Sequence, residues 1–254
     1  MRKTAVVTGG GSGIGLAICQ ELASLGWQVV VTDLIREAAE RTASALDGDD
    51  HEFHELDVTA SGAAERLAMD ISSRLGLNAW VSNAGVSKMT RFLEVTQEQY
   101  DMTLDVNLKG VFLCGQAAAK AMVSQGQGGK IVNTASMAGK QGKVPFLADY
   151  VASKFGVIGL TQAMAFELAE HKISVNSVCP GFVATPMQDR ELAWEADLKG
   201  VTVQEVRDSW ISDTPLGRLQ HPEDVANIVG FLLSDKADFL TGESISANGG
   251  AYMD

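Results

Sequence analysis

Tyr150 and Lys154 stand four residues apart, and Val151, Phe155, Val157 and Ile158 recur around them at helical spacing. This pattern predicts a helix from near Asp149 to about Glu170. Residues four apart share a helix face, which sets the lysine one turn on from the tyrosine. An ammonium fixed beside a phenol favours the phenolate and lowers a pKa that starts near ~10, so Tyr150 suits proton transfer near neutral pH. Just before it, Lys130–Ala135 reads as a buried strand with Ser136 at its carboxyl end, where ligands of open α/β sheets bind. A tyrosine and a lysine at this spacing also occur on many surface helices, so the rest of the chain has to supply the context.

A second candidate lies in the first turn, Thr8-Gly9-Gly10-Gly11-Ser12-Gly13-Ile14-Gly15. Gly9, Gly13 and Gly15 permit a tight turn, close approach of backbone to a pyrophosphate, and close helix–strand contact. Phosphates then meet the N-terminus of a helix beginning at Gly13, where free N–H groups favour negative charge. The turn lacks the Gly-Lys-Ser/Thr ending of a phosphoryl-transfer loop. Asp33 ends the next strand, 20 residues after Gly13. A carboxylate there accepts hydrogen bonds from both adenosine ribose hydroxyls and repels a 2′-phosphate, which favours NAD over NADP. Ser12 is neutral, and Arg36 is the one nearby cation that would favour NADP. Asp57 and Val58 are expected over the adenine edge, unless Asp57 simply caps a helix.

The elements that must position these residues alternate, strand then helix, along the whole chain. Strands are expected at 4–8, 29–32, 52–56, 79–81, 131–135, 173–178 and 244–247, with helices between them. Such alternation predicts a parallel sheet with helices on both faces, and no repeat or linker divides residues 1–254. Small residues Asn83-Ala84-Gly85 follow the fourth strand and face a cofactor. Thr96 is expected to cap the next long helix, with Gln99 as its capping-box partner. Asn107 lies inside that helix among apolar neighbours, as a satisfied buried amide or as a water-binding distortion near the Tyr/Lys pair. After the sixth strand, Pro180-Gly181 ends the sheet sharply, Val183 follows, and Thr185 is placed to meet a nicotinamide carboxamide. Residues 188–212 form a long insertion with apolar Leu192, Trp194, Leu198, Val206 and Trp210, read as a substrate lid or a surface helix pair.

Hydrophobic residues make up 46% of the 254 and charged residues 20%, enough for a large core. A formal charge of −12 argues against nucleic acid or an anionic membrane as the main partner. The N-terminus runs from Met1-Arg2-Lys3 straight into a strand, with no signal-peptide pattern. Cys19, Cys114 and Cys179 are odd in number and set in apolar surroundings, as in a reduced, cytoplasmic protein. His51 and His54 flank Phe53 in a strand and face opposite ways, so no metal is expected.

Taken together, Thr8–Gly15, Asn83–Gly85, Asn107, Ser136, Tyr150, Lys154, Pro180-Gly181 and Thr241-Gly242 resemble the short-chain dehydrogenase/reductase family over nearly the whole chain. The resemblance implies a single-domain α/β Rossmann fold, a doubly wound parallel sheet of seven strands. It also implies hydride transfer between a nicotinamide and a carbinol or carbonyl carbon, and homotetramers built through the two long helices after the fourth and fifth strands. Tyr150 would be the acid/base, with Ser136 orienting the reacting oxygen and Lys154 binding the nicotinamide ribose. Asn107 would hold a water linking Lys154 to solvent. Three departures stand out. Ser82 replaces the usual first Asn of the Asn-Asn-Ala-Gly motif, Asn248 replaces an Asp before Gly249-Gly250, and Ser136 lies 14 residues before Tyr150, so the loop 140–148 must bulge. Within the family, Ala184–Met187, the insertion and Pro215–Leu219 resemble acetoin/butanediol and sorbitol-type dehydrogenases, implying a small polyol, sugar alcohol, diol or hydroxyketone. The competing readings are 3-oxoacyl-carrier-protein reductase, a hydroxysteroid or cyclic-alcohol dehydrogenase, and a nicotinamide-binding sensor without catalysis.

Overall fold

Thr4–Thr8 are all buried and form the first strand, β1, as expected of a strand covered on both faces. In the computed structural model, which describes residues 2–253, β1 leads through the glycine turn into helix α1 (Gly13–Ser24). Strand β2 (Gln28–Asp33), helix α2 (Arg36–Ala45), strand β3 (Glu52–Glu55) and helix α3 (Ala63–Arg74) follow. The chain then returns to lay β4 (Ala79–Ser82) on the free side of β1. Helices α4 (Gln97–Leu104) and α5 (Gly110–Gln125), strand β5 (Gly129–Thr134), helix α6 (Ala148–Leu168) and strand β6 (Ile173–Pro180) come next. Helices α7 (Pro186–Lys199), α8 (Val203–Ser212) and α9 (Pro222–Leu233) precede the last strand, β7 (Ser244–Ala247).

All pairings are parallel, in the order β3-β2-β1-β4-β5-β6-β7, which is the expected seven-stranded, doubly wound single domain. The order reverses between β1 and β4, and a crevice opens there beyond the strands' carboxyl ends. Ile18 and Leu22 of α1 and Val225 and Val229 of α9 pack with Val7, Val29 and Val31 on one face. On the other, Ile71 of α3 and Met122 of α5 pack with Val30, Trp80 and Ile131. Cys19, Cys114 and Cys179 are buried and form no disulfide. No helix among the described residues is long and apolar enough to cross a membrane.

Several local expectations need correction. The long helix after β4 is broken at Asp105–Lys109, where a π turn separates α4 from α5. Thr96 accepts from Gln99 N as the cap of α4, but the Gln99 side chain does not reach back. Its amide bonds Thr90 Oγ1, Lys88 O and Asp149 Oδ2 instead, tying the α4 N-terminus to α6. Helix α9 goes beyond the sequence expectation, although Pro222 at its first position, Glu223 and Asp224 in its first turn, and Val225, Val229 and Leu232 at helical spacing are its signals. The insertion folds as the helix pair α7–α8 around Leu192, Ala196, Val206 and Trp210, with Phe182 stacked on Trp210 at 4.9 Å between centroids. Trp194 and Leu198 are only half-buried.

Candidate active site

The crevice is built upward from the glycine turn. Gly9 (φ 64°) and Gly13 (φ 53°) adopt left-handed backbone that a side chain would strain. A Cβ on Gly15 would collide with the Gly9 carbonyl, so the helix packs directly on the turn. Ser12 makes no side-chain cap bond to α1, and the first turn holds no acid, so its N–H groups remain open to an anion. These features fit a nicotinamide dinucleotide's pyrophosphate. Thr8 Oγ1 accepts from Asn83 N (3.0 Å) and Ala84 N (3.1 Å), and Asn83 Nδ2 donates to Thr8 O (3.1 Å). The Asn83–Gly85 segment is thereby fastened to the cofactor turn.

Asp33, at the end of β2, accepts from Gly11 N and Ile35 N, both at 3.0 Å. The Arg36 guanidinium lies over the Phe53 ring at 5.0 Å. Asp57 accepts from Thr59 N (2.8 Å) and Thr59 Oγ1 (2.7 Å), so its carboxylate holds the turn after β3. Thr185 caps α7, accepting from Gln188 N at 3.3 Å, and its methyl group lies over Gly13.

On the other side of the switch point, α6 delivers Tyr150 and Lys154. Lys154 is buried, and its Nζ donates to Thr134 O at the end of β5 (2.8 Å), 5.5 Å from the Tyr150 ring centre. Burial pulls the ammonium down to about 8. Ser136 Oγ accepts from Ala138 N (3.1 Å) and also hydrogen-bonds the Tyr150 phenol. Phe146 takes a left-handed φ of 64°, and its carbonyl accepts from Thr90 N at 2.8 Å, which is how the long 140–148 loop is accommodated. Buried Asp149 bonds Thr103 Oγ1 (2.9 Å) and Tyr150 N (3.0 Å) and so fixes the start of α6.

The expected lowering of the Tyr150 pKa does not hold in this chain without cofactor. Burial of the phenol raises it well above its ordinary value, and the Glu191 charge pushes the same way, against the Ser136 hydrogen bond. Lys154 Nζ donates to the Thr134 carbonyl, and desolvation of the phenol outweighs the Ser136 hydrogen bond.

Asn107 sits in the π turn, fully buried. Its Oδ1 accepts from Val86 N and its Nδ2 donates to Val86 O, both at 2.8 Å, with Ser153 Oγ at 3.3 Å. The amide is therefore satisfied, and it also fixes the strand-end segment beside Gly85.

Gly9, Ser12, Gly13, Ile14, Asp33, Asp57, Val58, Asn83, Ala84 and Gly85 line one cleft of about 370 Å³. Ser136, Tyr150, Lys154, Pro180, Gly181, Val183 and Thr185 line the same cleft. Gly15 and Asn107 stand outside it, in support. Sequence reasoning missed Glu191 and Gln188, which enter the cleft from α7, and the Ser87 that binds Glu191. His51 Nδ1 accepts from Val29 N and His54 contacts Glu52; no metal-binding cluster occurs among the described residues.

Fold and cleft define a nicotinamide-dependent oxidoreductase of the Rossmann type, and the comparisons narrow the class. A family model described as enoyl-(acyl carrier protein) reductase matches residues 9–252. A short-chain dehydrogenase/reductase of Armillaria gallica is 40% identical over 257 residues, covering 99% of this chain and 97% of that protein. A (3R)-3-hydroxyacyl-CoA dehydrogenase of Canis lupus familiaris is 41% identical over 260 residues, covering 98% and 96%. Among solved structures, sorbitol-6-phosphate 2-dehydrogenase of Erwinia amylovora superposes with a TM-score of 0.92 at 35% identity, covering 98% of this chain and all of that one. A single-substitution variant of actinorhodin polyketide ketoreductase with NADPH gives 0.93 at 35%, covering 98% and 97%. The chain belongs to the short-chain dehydrogenase/reductase family, oxidoreductases that use a nicotinamide cofactor and act on CH–OH groups.

Proposed function

We propose that this enzyme oxidises a small secondary alcohol that carries more than one oxygen, or reduces the matching ketone, with NAD as its cofactor. The substrates are polyols, sugar alcohols, diols or hydroxyketones. Bound nicotinamide supplies the hydride acceptor in oxidation and the donor in reduction. Tyr150 takes the hydroxyl proton in oxidation and gives it back in reduction. Ser136 hydrogen-bonds the reacting oxygen and orients it. Lys154 binds the nicotinamide ribose and sets positive charge beside the phenol; the Asn107 side chain fixes Val86, and the backbone of its π turn holds a water between Lys154 and solvent. The protonated phenol is the acid of the reduction, and the same oxygen takes the proton back in oxidation.

The observation that carries this reading is the meeting of Ser136, Tyr150 and Lys154 in the cleft that also holds the glycine turn. Support for NAD comes from the Asp33 carboxylate, neutral Ser12, and an Arg36 already stacked on Phe53. The structural likeness to a sorbitol-6-phosphate dehydrogenase supports a polyol. A second reading, a 3-hydroxyacyl thioester, is favoured by the 41% identity to a hydroxyacyl-CoA dehydrogenase. Rates of nicotinamide reduction with NAD and NADP, across diols, polyols and hydroxyacyl thioesters, separate the two readings. NADP-only turnover of the thioester would overturn the first.

The pair α7–α8 acts as the substrate lid, supported by its own small core and by the reach of α7 into the cleft. Exposed Phe112 on α5 and Phe155 and Phe166 on α6 support a homotetramer through those helices, which a solution mass measurement tests.

A further inference from the structure

One carboxylate in the cleft has no part in proton transfer. Glu191, on α7, is 8% exposed and lines the same cleft as Ser136 and Tyr150. Ser87 Oγ donates to its Oε1 at 2.5 Å, and Gln188 Nε2 donates to its Oε2 at 3.1 Å. Ser87 lies just past the Asn83–Val86 segment, so the three side chains join the wall beyond β4 to the helix pair above it. Both donors are neutral, and among the described residues Glu191 has no ion-pair partner. Arg190, its neighbour in sequence, is exposed at the mouth of the same cleft and offsets the Glu191 charge only in part. A carboxylate has about four lone-pair sites, and the two bonds leave both oxygens able to accept again. A buried carboxylate held only by neutral donors is costly, and a ligand that donates a hydrogen bond offsets that cost. Burial holds Glu191 above the usual carboxylate range, against the Ser87 and Gln188 hydrogen bonds and the Arg190 charge, so these partners compensate the group incompletely. Glu191 and Tyr150 line the same cleft, and the Glu191 charge acts on the phenol across it.

We propose that Glu191, held by Ser87 and Gln188, sets substrate specificity by accepting a hydrogen bond from a second hydroxyl of the substrate. The same carboxylate turns away substrates that bring a negative charge to that position. The inference rests on the small-alcohol reading above and names the group such an alcohol must carry. It also gives α7 a chemical role, since closing the helix pair brings the acceptor onto the substrate.

The test compares kcat/KM for 2,3-butanediol and for 2-butanol in the wild type, Glu191→Gln and Glu191→Ala. A hydrogen bond to a charged group corresponds to about tenfold to a hundredfold in binding. The diol-over-butanol ratio is therefore expected to fall at least about tenfold in Glu191→Ala. It falls less in Glu191→Gln, which keeps an acceptor and the side-chain shape. In both variants 3-hydroxybutyrate should improve relative to the diol. Cofactor binding, followed by quenching of protein fluorescence, checks that each variant folds. An unchanged ratio in variants that bind cofactor overturns the proposal while leaving the small-alcohol reading intact. A wild type that turns over hydroxyacyl thioesters and no diol or polyol overturns that reading first, and this proposal with it.

Discussion

Replacing Lys154 with methionine removes a buried ammonium while keeping an unbranched side chain of similar length. Lys154 is 4% exposed, and burial has drawn its pKa to about 8 from an ordinary value near ~10.4. At about 1.4 kcal/mol per pKa unit, holding the charged form in the folded chain costs about 3 kcal/mol at neutral pH. The substitution removes that cost but leaves Thr134 O without its donor, a loss of about 1–2 kcal/mol. Lys154→Met should therefore gain about 1–2 kcal/mol at pH 7 while losing activity. The pH dependence carries the sharper signature. Since the folded pKa is depressed, the folded chain releases this proton before the unfolded chain does. The Lys154 contribution to stability therefore rises from about pH 8 toward pH 10, and the stability difference between Lys154→Met and the wild type should shift in favour of the wild type over that range. Urea unfolding of cofactor-free protein, at one fixed protein concentration and at neutral and alkaline pH, measures both effects. If Lys154→Met were less stable at pH 7 and its stability difference from the wild type stayed the same at alkaline pH, the reasoning would be refuted.

Ser136→Ala should lower kcat by about a hundredfold to a thousandfold, because one donor to the developing oxyanion is lost. Cofactor affinity, read by fluorescence titration, should barely change. Asp33→Ala should cut the NAD-over-NADP ratio of kcat/KM by about tenfold or more, since it removes the ribose acceptor and the repulsion of a 2′-phosphate; an equal effect on both cofactors would remove Asp33 from the argument. Amide exchange across residues 186–212 should slow when cofactor and alcohol are both present, and unchanged exchange would argue against a lid.

The sheet and most helices are legible in the sequence because their signals are local. Alternating apolar runs mark strands, and the glycine turn and the spacing of Tyr150 and Lys154 carry their own chemistry. What is not legible depends on burial by distant parts of the chain. The Tyr150 phenol reads as acidified when only its helix neighbour is considered, yet the residues packed around it and the Glu191 charge push its pKa up. Glu191 looks like any acid on a polar helix until α7 folds over the cleft and Ser87 meets it. Gln99 fits a capping box by spacing, but Thr90 and Asp149 compete for its side chain and win. Asn107 allows two readings from sequence, and the chain satisfies its amide within a π turn. Helix α9 announces itself through Pro222 and the acids after it, signals that the turn-rich residues on either side of it obscure.

The most direct test of the account is the rate of NAD reduction with a diol or polyol, in the wild type and in Tyr150→Phe. The phenylalanine keeps the ring and removes only the proton-carrying oxygen. The account predicts a clear NAD-dependent rate in the wild type and a loss of at least about a hundredfold in the variant. A variant with near wild-type turnover and intact cofactor binding would contradict it.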